Sequence, residues 1–257
     1  MSESAADMSQ LIAATVLVAI AIVLVEVRRL GVGWDLAKGT VRSFLQLMAV
    51  GFVLKFIFDL DKLQYQVLLL LVMIAVAAYT ARGRARSMRG AFRISFVAIL
   101  SGTAATLGVM LSLKIIDASP NYLIPLGGMI IGNSMNALSL GFERIGSEVK
   151  QRRGEIEAAL CLGAGPQKAL EPLVRRSVKA SFIPILNLMK IVGVVQMPGA
   201  MTGMLLAGAD PVEAVKIQLV VIYMLVASTS ITMLVGTAFS YRSFFNRNWQ
   251  LVRDRRR

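Results

Sequence analysis

The 257-residue chain contains no histidine, a single cysteine at Cys161, and charged residues at only 17% of its positions. Without histidine the commonest transition-metal ligand is missing, so a zinc or haem site of ordinary type has nothing to be built from. One cysteine excludes an intrachain disulfide. Nowhere does the chain read G-x-x-x-x-G-K-[ST], the loop that cradles phosphates in P-loop ATPases, so any use of ATP requires a second polypeptide. What is abundant is apolar: 56% of residues are hydrophobic, too many for the surface of a soluble globule. Apolar runs of roughly 18 residues or more make this an all-α polytopic membrane protein.

The formal net charge of +13 is a topology signal, because the basic residues fall in short blocks between apolar runs instead of forming the continuous patch that nucleic acid requires. Windows matching a bilayer core of about 30 Å give seven candidate spans, at about 8–27, 40–58, 63–81, 94–113, 121–142, 178–197 and 214–239. Basic residues cluster in links 28–42 (Arg28, Arg29, Lys38, Arg42) and 82–93 (Arg82, Arg84, Arg86, Arg89, Arg93), in 143–179, and in the tail from Arg242. The intervening links are short and acidic, with Asp59 and Asp61, then Asp117, then Asp210 and Glu213. The positive-inside rule therefore predicts an external N-terminus and a cytoplasmic C-terminus. Ser2, Glu3 and Asp7 stand where a cleaved signal would have a basic region, so the first apolar run reads as a retained helix. Residues 1–257 form a single transmembrane domain whose longest cytoplasmic piece, about 143–177, is too short for its own core.

That piece predicts a helical hairpin. "ERIGSEVKQRRGEIEAAL" at 143–160 continues the fifth span as a charged helix in which Glu148 and Arg152 form an i,i+4 pair. Gly163 and Gly165 offer a stop, and Pro166 suits the first turn of a second helix. Ile156, Ala159, Leu160 and Gly163 follow i, i+3, i+4, i+7 spacing and place an apolar face in the cytoplasm. Such a face either folds back on the arginine-rich loops, lies at the lipid interface, or docks a partner.

Within the hairpin, Glu157-Ala158-Ala159 followed three residues later by Gly163 resembles the E-A-A-x-x-x-G coupling motif of ABC-transporter permeases. In that family the short cytoplasmic helix sits in a groove on the ATP-binding subunit. The proline-bearing ending of many importers is replaced here by Leu173-Val174-Arg175. Three stretches carry a more specific likeness: "GMIIGNSMNALSL" at 128–140, "EIEAALCLGAGPQKAL" at 155–170 and "MPGAMTGMLLAGADPVEAVKIQLVV" at 197–221. Together they resemble the FetB-type iron-export ABC permeases, relatives of the membrane subunit implicated in plant aluminium tolerance. Members tend to read P-G-M-M-T-G where this chain has Ala200.

The resemblance implies a homodimeric permease in the bacterial cytoplasmic (inner) membrane. It has no ATPase site or cofactor of its own and is coupled to separate ATPase subunits that hold ATP and Mg. Iron or another metal is the implied export substrate, and Glu157, Ala158, Ala159, Leu160 and Gly163 are the implied coupling residues. An ATP-independent secondary transporter or channel, or an ABC permease for a non-metal substrate, is the alternative, although coupled secondary transporters usually carry carboxylates within spans and none is present here. A retinal-type receptor would need a lysine in the middle of the seventh span, whereas Lys216 is at its outer edge.

For a translocation path, Asn133, Asn136 and Ser139 are three apart and predict one face of the fifth span. They either line a path or form interhelical hydrogen bonds worth about 0.6 kcal/mol per pair. Gly127, Gly128 and Gly132 favour close helix packing, within the chain or across a dimer. In the sixth span Asn187 and Lys190 share a face above Pro184; Lys190 either snorkels outward, pairs with Asp210 or Glu213, or acts as a gate or anion contact. "MPGAMTGMLLAG" predicts a turn and an apolar segment too short to span, either a broken helix end or a re-entrant piece. Carbonyls there, with Gln196 and Thr202, are the oxygen candidates for a cation; Met197, Met201 and Met204 are the sulfur candidates, against a packing role. Transient oxygen contacts, acidic groups at the outer ends, or a chelated substrate all remain open.

Overall fold

The computed structural model describes residues 2–60, 62–85, 88–246 and 249–251, with side chains left aside at 2–12, 14, 56 and 58–60. Asp61, Arg86, Arg247 and the arginines beyond 251, used above in the charge map, lie outside the described residues. The chain divides into two compact units, Met1–Asp61 and Lys62–Arg257.

The first unit is a pair of packed helices, α1 (Ser2–Val27) and α2 (Gly33–Leu60), which contain the predicted spans 8–27 and 40–58. α1 stops because Arg29 turns left-handed at φ 51°, letting its N–H donate to Glu26 O (2.8 Å) and that of Leu30 to Val25 O (3.1 Å). Gly33 then passes the end of α1 so closely that a Cβ would lie 2.5 Å from Glu26 Oε2.

The second unit runs α3 (Leu63–Arg84), α4 (Ala91–Ser112), α5 (Pro120–Gln151), α6 (Arg153–Cys161), α7 (Pro166–Ser181), α8 (Ile183–Ile191), α9 (Gly199–Leu206) and α10 (Pro211–Ser240), which continues as a 3-10 turn over Tyr241–Phe244. α3, α4, α5 and α10 pack on one another as the central bundle. Among the described residues these four helices, at 22, 22, 32 and 34 residues with the 3-10 turn included, are long and apolar enough to cross a membrane. The predicted spans 63–81, 94–113, 121–142 and 214–239 fall on them.

Small residues let the bundle close. Between helices in lipid the attraction is mainly van der Waals contact, so backbones must approach. On α3 the buried positions include Ala77, Ala78 and Ala81. A Cβ at Gly102 of α4 would strike Thr232 Oγ1 and lie 2.8 Å from the Ser228 carbonyl of α10. At Gly236 of α10 it would be 2.5 Å from Leu138 Cδ1, and at Gly141 of α5 it would be 2.7 Å from Met233 Cε. Ile99, Ile130, Leu138, Phe142, Ile145 and Met233 fill the centre.

Two predicted elements are corrected. The charged helix expected over 143–160 is broken at Arg152 (φ −106°, ψ 28°), between α5 and α6. Arg152 does pair with Glu148 as expected, at 3.1 Å, but also reaches Glu155 at 3.4 Å across the break. The break returns Ile156 to the core, where it is 1% exposed; burying such a side chain is worth about 1.5–3 kcal/mol, more than the backbone bond forgone. The sixth predicted span, 178–197, is not one helix either: it comprises the end of α7, the nine-residue α8, and a turn in which Gly193 takes φ +80°. Pro184 sits in the first turn of α8 and, with no N–H to give, divides the segment. At 1.5 Å per residue α8 is about 13 Å long, far short of the roughly 30 Å core.

Candidate functional site

The hairpin tip is built by its turn. Gly163, left-handed at φ +87°, donates its N–H to Leu160 O (3.0 Å), and Ala164 donates to Ala159 O (3.0 Å), the paired bonds of a Schellman cap. Gly165 is extended and Pro166 opens α7. Thus the expected stop falls at Gly163, while Gly165 serves the next helix.

The candidate coupling residues divide between core and solvent. Ile156 is buried, Ala159 and Leu160 are half-buried, and Glu157 and Ala158 are exposed. The predicted apolar face therefore points mostly inward, onto α7. The exposed knob is Leu162, at 89% exposure, with Cys161 exposed beside it. Leu162 stands at i+6 from Ile156, outside the i, i+3, i+4, i+7 series, and lies just past the end of α6. Glu157 is held by Arg153, whose Nε donates to Oε1 at 2.7 Å. Arg153 Nη2 also donates to the Leu251 carbonyl at 3.3 Å, tying the chain's last described residue to α6. Phe245 and Leu251 form a bridge of their own, and Arg89 N–H reaches Ser243 O at 3.5 Å.

Along α5 the three candidate path residues have different surroundings. Asn133 is half-buried and its Nδ2 donates to Met129 O at 2.9 Å; Asn136 is exposed; Ser139 is buried. Each i+3 step turns the helix back by about 60°, so six residues carry the side chain about 120° around the axis. Gly127 packs against Leu70 and Gly128 against Met73 Cε (3.1 Å for a built Cβ), both on α3, while Gly132 has nothing within 4 Å.

On α8, Asn187 and Lys190 are both exposed. Among the described residues Lys190 has no ion pair with Asp210 or Glu213. Asp210 instead caps α10, its Oδ1 accepting from Val212 N (2.9 Å) and Glu213 N (3.1 Å). Gln196 is exposed with its carbonyl accepting from Gly193 N at 3.0 Å. Thr202 is half-buried and its Oγ1 shares a proton between Pro198 O (3.2 Å) and Met197 O (3.3 Å). The short α9, in whose first turn it lies, packs on α10. Met201 is 9% exposed, Met204 half-buried and Met197 60% exposed, so the three sulfur atoms do not share an environment. Among the described residues no group of three or more His, Cys, Asp or Glu side chains is gathered for a metal ion.

A polar seam inside the bundle escaped the sequence reading. Thr103 and Thr106 on α4, Thr229 and Thr232 on α10, and the Oε1 atoms of Gln66 and Gln218 are buried without a hydrogen-bond partner among the described residues. The available signal was the i,i+3 pairing of Thr103 with Thr106 and of Thr229 with Thr232 in otherwise apolar runs.

No solved structure matches the chain. Rice "UPF0014 membrane protein STAR2" is 38% identical over 240 residues, covering 93% of this chain and 84% of that protein. Arabidopsis "Protein ALUMINUM SENSITIVE 3" is 36% identical over 239 residues, covering 93% and 88%. The Escherichia coli "Probable iron export permease protein FetB" is 37% identical over 239 residues, covering 93% and 92%. The uncharacterised protein family UPF0014 matches residues 8–245. With most of its length matched by that family, and by relatives from bacteria and plants, the chain is a membrane protein that belongs to UPF0014.

Proposed function

We propose that the chain is the permease subunit of an ABC exporter for iron or another metal. In this reading it works as a homodimer in the bacterial cytoplasmic membrane, with two cytoplasmic ATPase subunits that bind ATP and Mg. The observation that carries the reading is α6: a short helix set off from the bundle by a break at Arg152 and a Schellman turn at Gly163, displaying Glu157, Ala158 and Leu162 outward. The absence of a P-loop in the sequence gives that display a purpose, since energy must enter from another chain. The name of the Escherichia coli relative supports iron as the substrate class.

The topology in this reading has seven crossings, N-terminus outside and C-terminus inside, with α1 and α2 as the first two and the α7–α8–α9 run as a discontinuous sixth. Irregular backbone at membrane depth is tolerated only inside protein or beside water, so the turn at 191–198 is read as lining the path. Substrate contact comes from oxygen: the amides of Asn133, Asn136, Asn187 and Gln196, the hydroxyls of Ser139 and Thr202, and turn carbonyls, with Lys190 at the rim and Met197, Met201 and Met204 as sulfur contacts.

The test uses inverted vesicles that carry the chain and a candidate ABC ATPase subunit from the same genome. Expected is ATP-dependent uptake of ferrous iron into the vesicles, abolished in a hydrolysis-deficient ATPase. Iron movement of equal rate without the ATPase would instead identify an ATP-independent carrier, and no movement under either condition would withdraw iron as substrate.

A further inference from the structure

Beside the hairpin tip lies an open cleft of about 580 Å³, lined by Gly163, Gln167, Lys168, Tyr241, Arg242 and Trp249 among others. It joins the turn after α6, the first turn of α7 and the segment following α10, elements more than seventy residues apart in the chain. We propose that this cleft receives a carboxylate-bearing segment of the cytoplasmic ATPase, making the C-terminal segment a second half of the docking surface. The proposal rests on the permease reading above and adds to it where the partner binds and what chemistry it presents.

Charge comes first. Lys168 and Arg242 are exposed, and among the described residues neither has an ion-pair partner. Among the described residues no carboxylate lines the cleft, and the nearest acidic influence is felt at Tyr241, whose pKa is raised by burial and then by Glu171. Gln167 and Lys168 also bring first-turn backbone N–H groups, since Gly165 has no side chain with which to cap α7. The two cations and these N–H groups favour an anion.

The apolar part excludes a small free anion as the natural occupant. Trp249 is 56% exposed in the cleft and Leu162, the chain neighbour of the lining residue Gly163, is 89% exposed, so the surface offers an aromatic wall and an aliphatic knob together with its basic groups. An anionic lipid surface would match that pair, but α6 presents Glu155 and Glu157 on the same tip, with side chains 70% and 49% exposed. Each is paired with an arginine, Arg152 or Arg153, so the tip alternates in charge instead of offering the uniformly basic face that draws a protein to anionic headgroups. A protein surface can meet acid with base and base with acid within a few ångströms, and cores of such interfaces favour Trp and Arg.

The contact is also held in place. Arg153 binds both Glu157 and the Leu251 carbonyl, so α6 and the segment that carries Trp249 keep a common register. A docking element would touch both at once.

The test measures binding of the ATPase to the full chain in nanodiscs. Variants are Arg242→Glu, Lys168→Glu and Trp249→Ala, with Lys150→Glu, exposed on α5 and outside the cleft, as a charge control. Expected is at least about a tenfold loss of affinity for each charge reversal in the cleft, against less than about threefold for Lys150→Glu. Restoration of Arg242→Glu by one Asp-or-Glu→Lys change on the ATPase would identify the partner residue. Size-exclusion profile and thermal midpoint verify that each variant is folded. If wild type binds the ATPase and the cleft variants bind equally well, the cleft proposal is overturned while the permease reading stands. No binding by wild type would overturn the permease reading itself. Loss of stabilisation by phosphatidylglycerol nanodiscs in the cleft variants, with ATPase affinity unchanged, would assign the cleft to lipid and overturn the proposal.

Discussion

Replacing Gly163 by alanine isolates the backbone from everything else at the hairpin tip. A Cβ built at Gly163 meets nothing within 4 Å, so no clash enters the account. What remains is its φ of +87°, in the left-handed region that costs an L-residue about 1–2 kcal/mol. Such a penalty shifts a local equilibrium by roughly fivefold to thirtyfold. The Schellman bonds from Gly163 and Ala164 are therefore open far more of the time, and Leu162 loses its fixed direction. Cys161, the chain's single cysteine and exposed two residues away, carries a spin label without further engineering. Expected for Gly163→Ala is a more mobile label and weaker ATPase coupling. Gly163→Asn should recover at least half of both, because asparagine tolerates the left-handed region. Gly165→Ser, at φ −67° and ψ 155° where any residue fits, should be neutral or stabilising by a few tenths of a kcal/mol as a better N-cap. Equal behaviour of the alanine and asparagine variants, or equal damage at Gly165, would refute a conformational role and leave only recognition of the missing side chain.

Further expectations concern topology, packing and path. A membrane-impermeant maleimide should modify Cys161 in inverted vesicles and not in right-side-out ones; the reverse result would invert the proposed orientation. Gly102→Ala forces Thr232 Oγ1 and the Ser228 carbonyl away and should destabilise the folded chain by about 1–3 kcal/mol, read as a lowered thermal midpoint in detergent; an unchanged midpoint would mean α4 and α10 are not as close as described. Arg153→Gln should change global stability by less than about 0.5 kcal/mol, since both members of its pair are partly in water, yet hasten proteolysis after Phe244 severalfold by freeing Leu251. Protection at wild-type rate would show that Arg153 does not hold the tail. Asn136→Leu, on an exposed face of α5, should preserve folding and slow metal movement at least about tenfold; wild-type transport would remove Asn136 from the path.

Most of the helices were legible because long apolar runs and charged links are averaged signals, robust to any one residue. Pro184 and Gly193 were equally visible as letters, but a window of about 19 residues smooths over them, and so 178–197 read as a single span. The break at Arg152 had no comparable letter. Gly154 and the charges around it permit a break without demanding one; the core waiting for Ile156 decides it, and that core is tertiary. Likewise, Asn133 and Ser139 look equivalent when counted in threes, although the helix has turned a third of a circle between them. An exposed apolar knob at the tip was legible in the run Ala159-Leu160-Cys161-Leu162, but the helical series pointed to Leu160 and Gly163, and only the end of α6 at Cys161 leaves Leu162 as the side chain that stands out. The Thr103, Thr106, Thr229 and Thr232 seam went unread because single hydroxyls hardly move an apolar average, whereas their burial depends on which helix lies opposite.

Arg153 gives the hairpin end of the bundle a mechanical character. α6 is joined to α5 by the covalent hinge at Arg152, and to the end of α10 by the Arg153–Leu251 bond and the bridge between Leu251 and Phe245. A pull on α6 thus loads two bundle helices together, one through main chain and one through a side chain. The first linkage is permanent and the second can slip. Removing the one guanidinium of Arg153 would leave α6 its covalent tie to α5 and take away the hydrogen bond that ties it to the segment after α10.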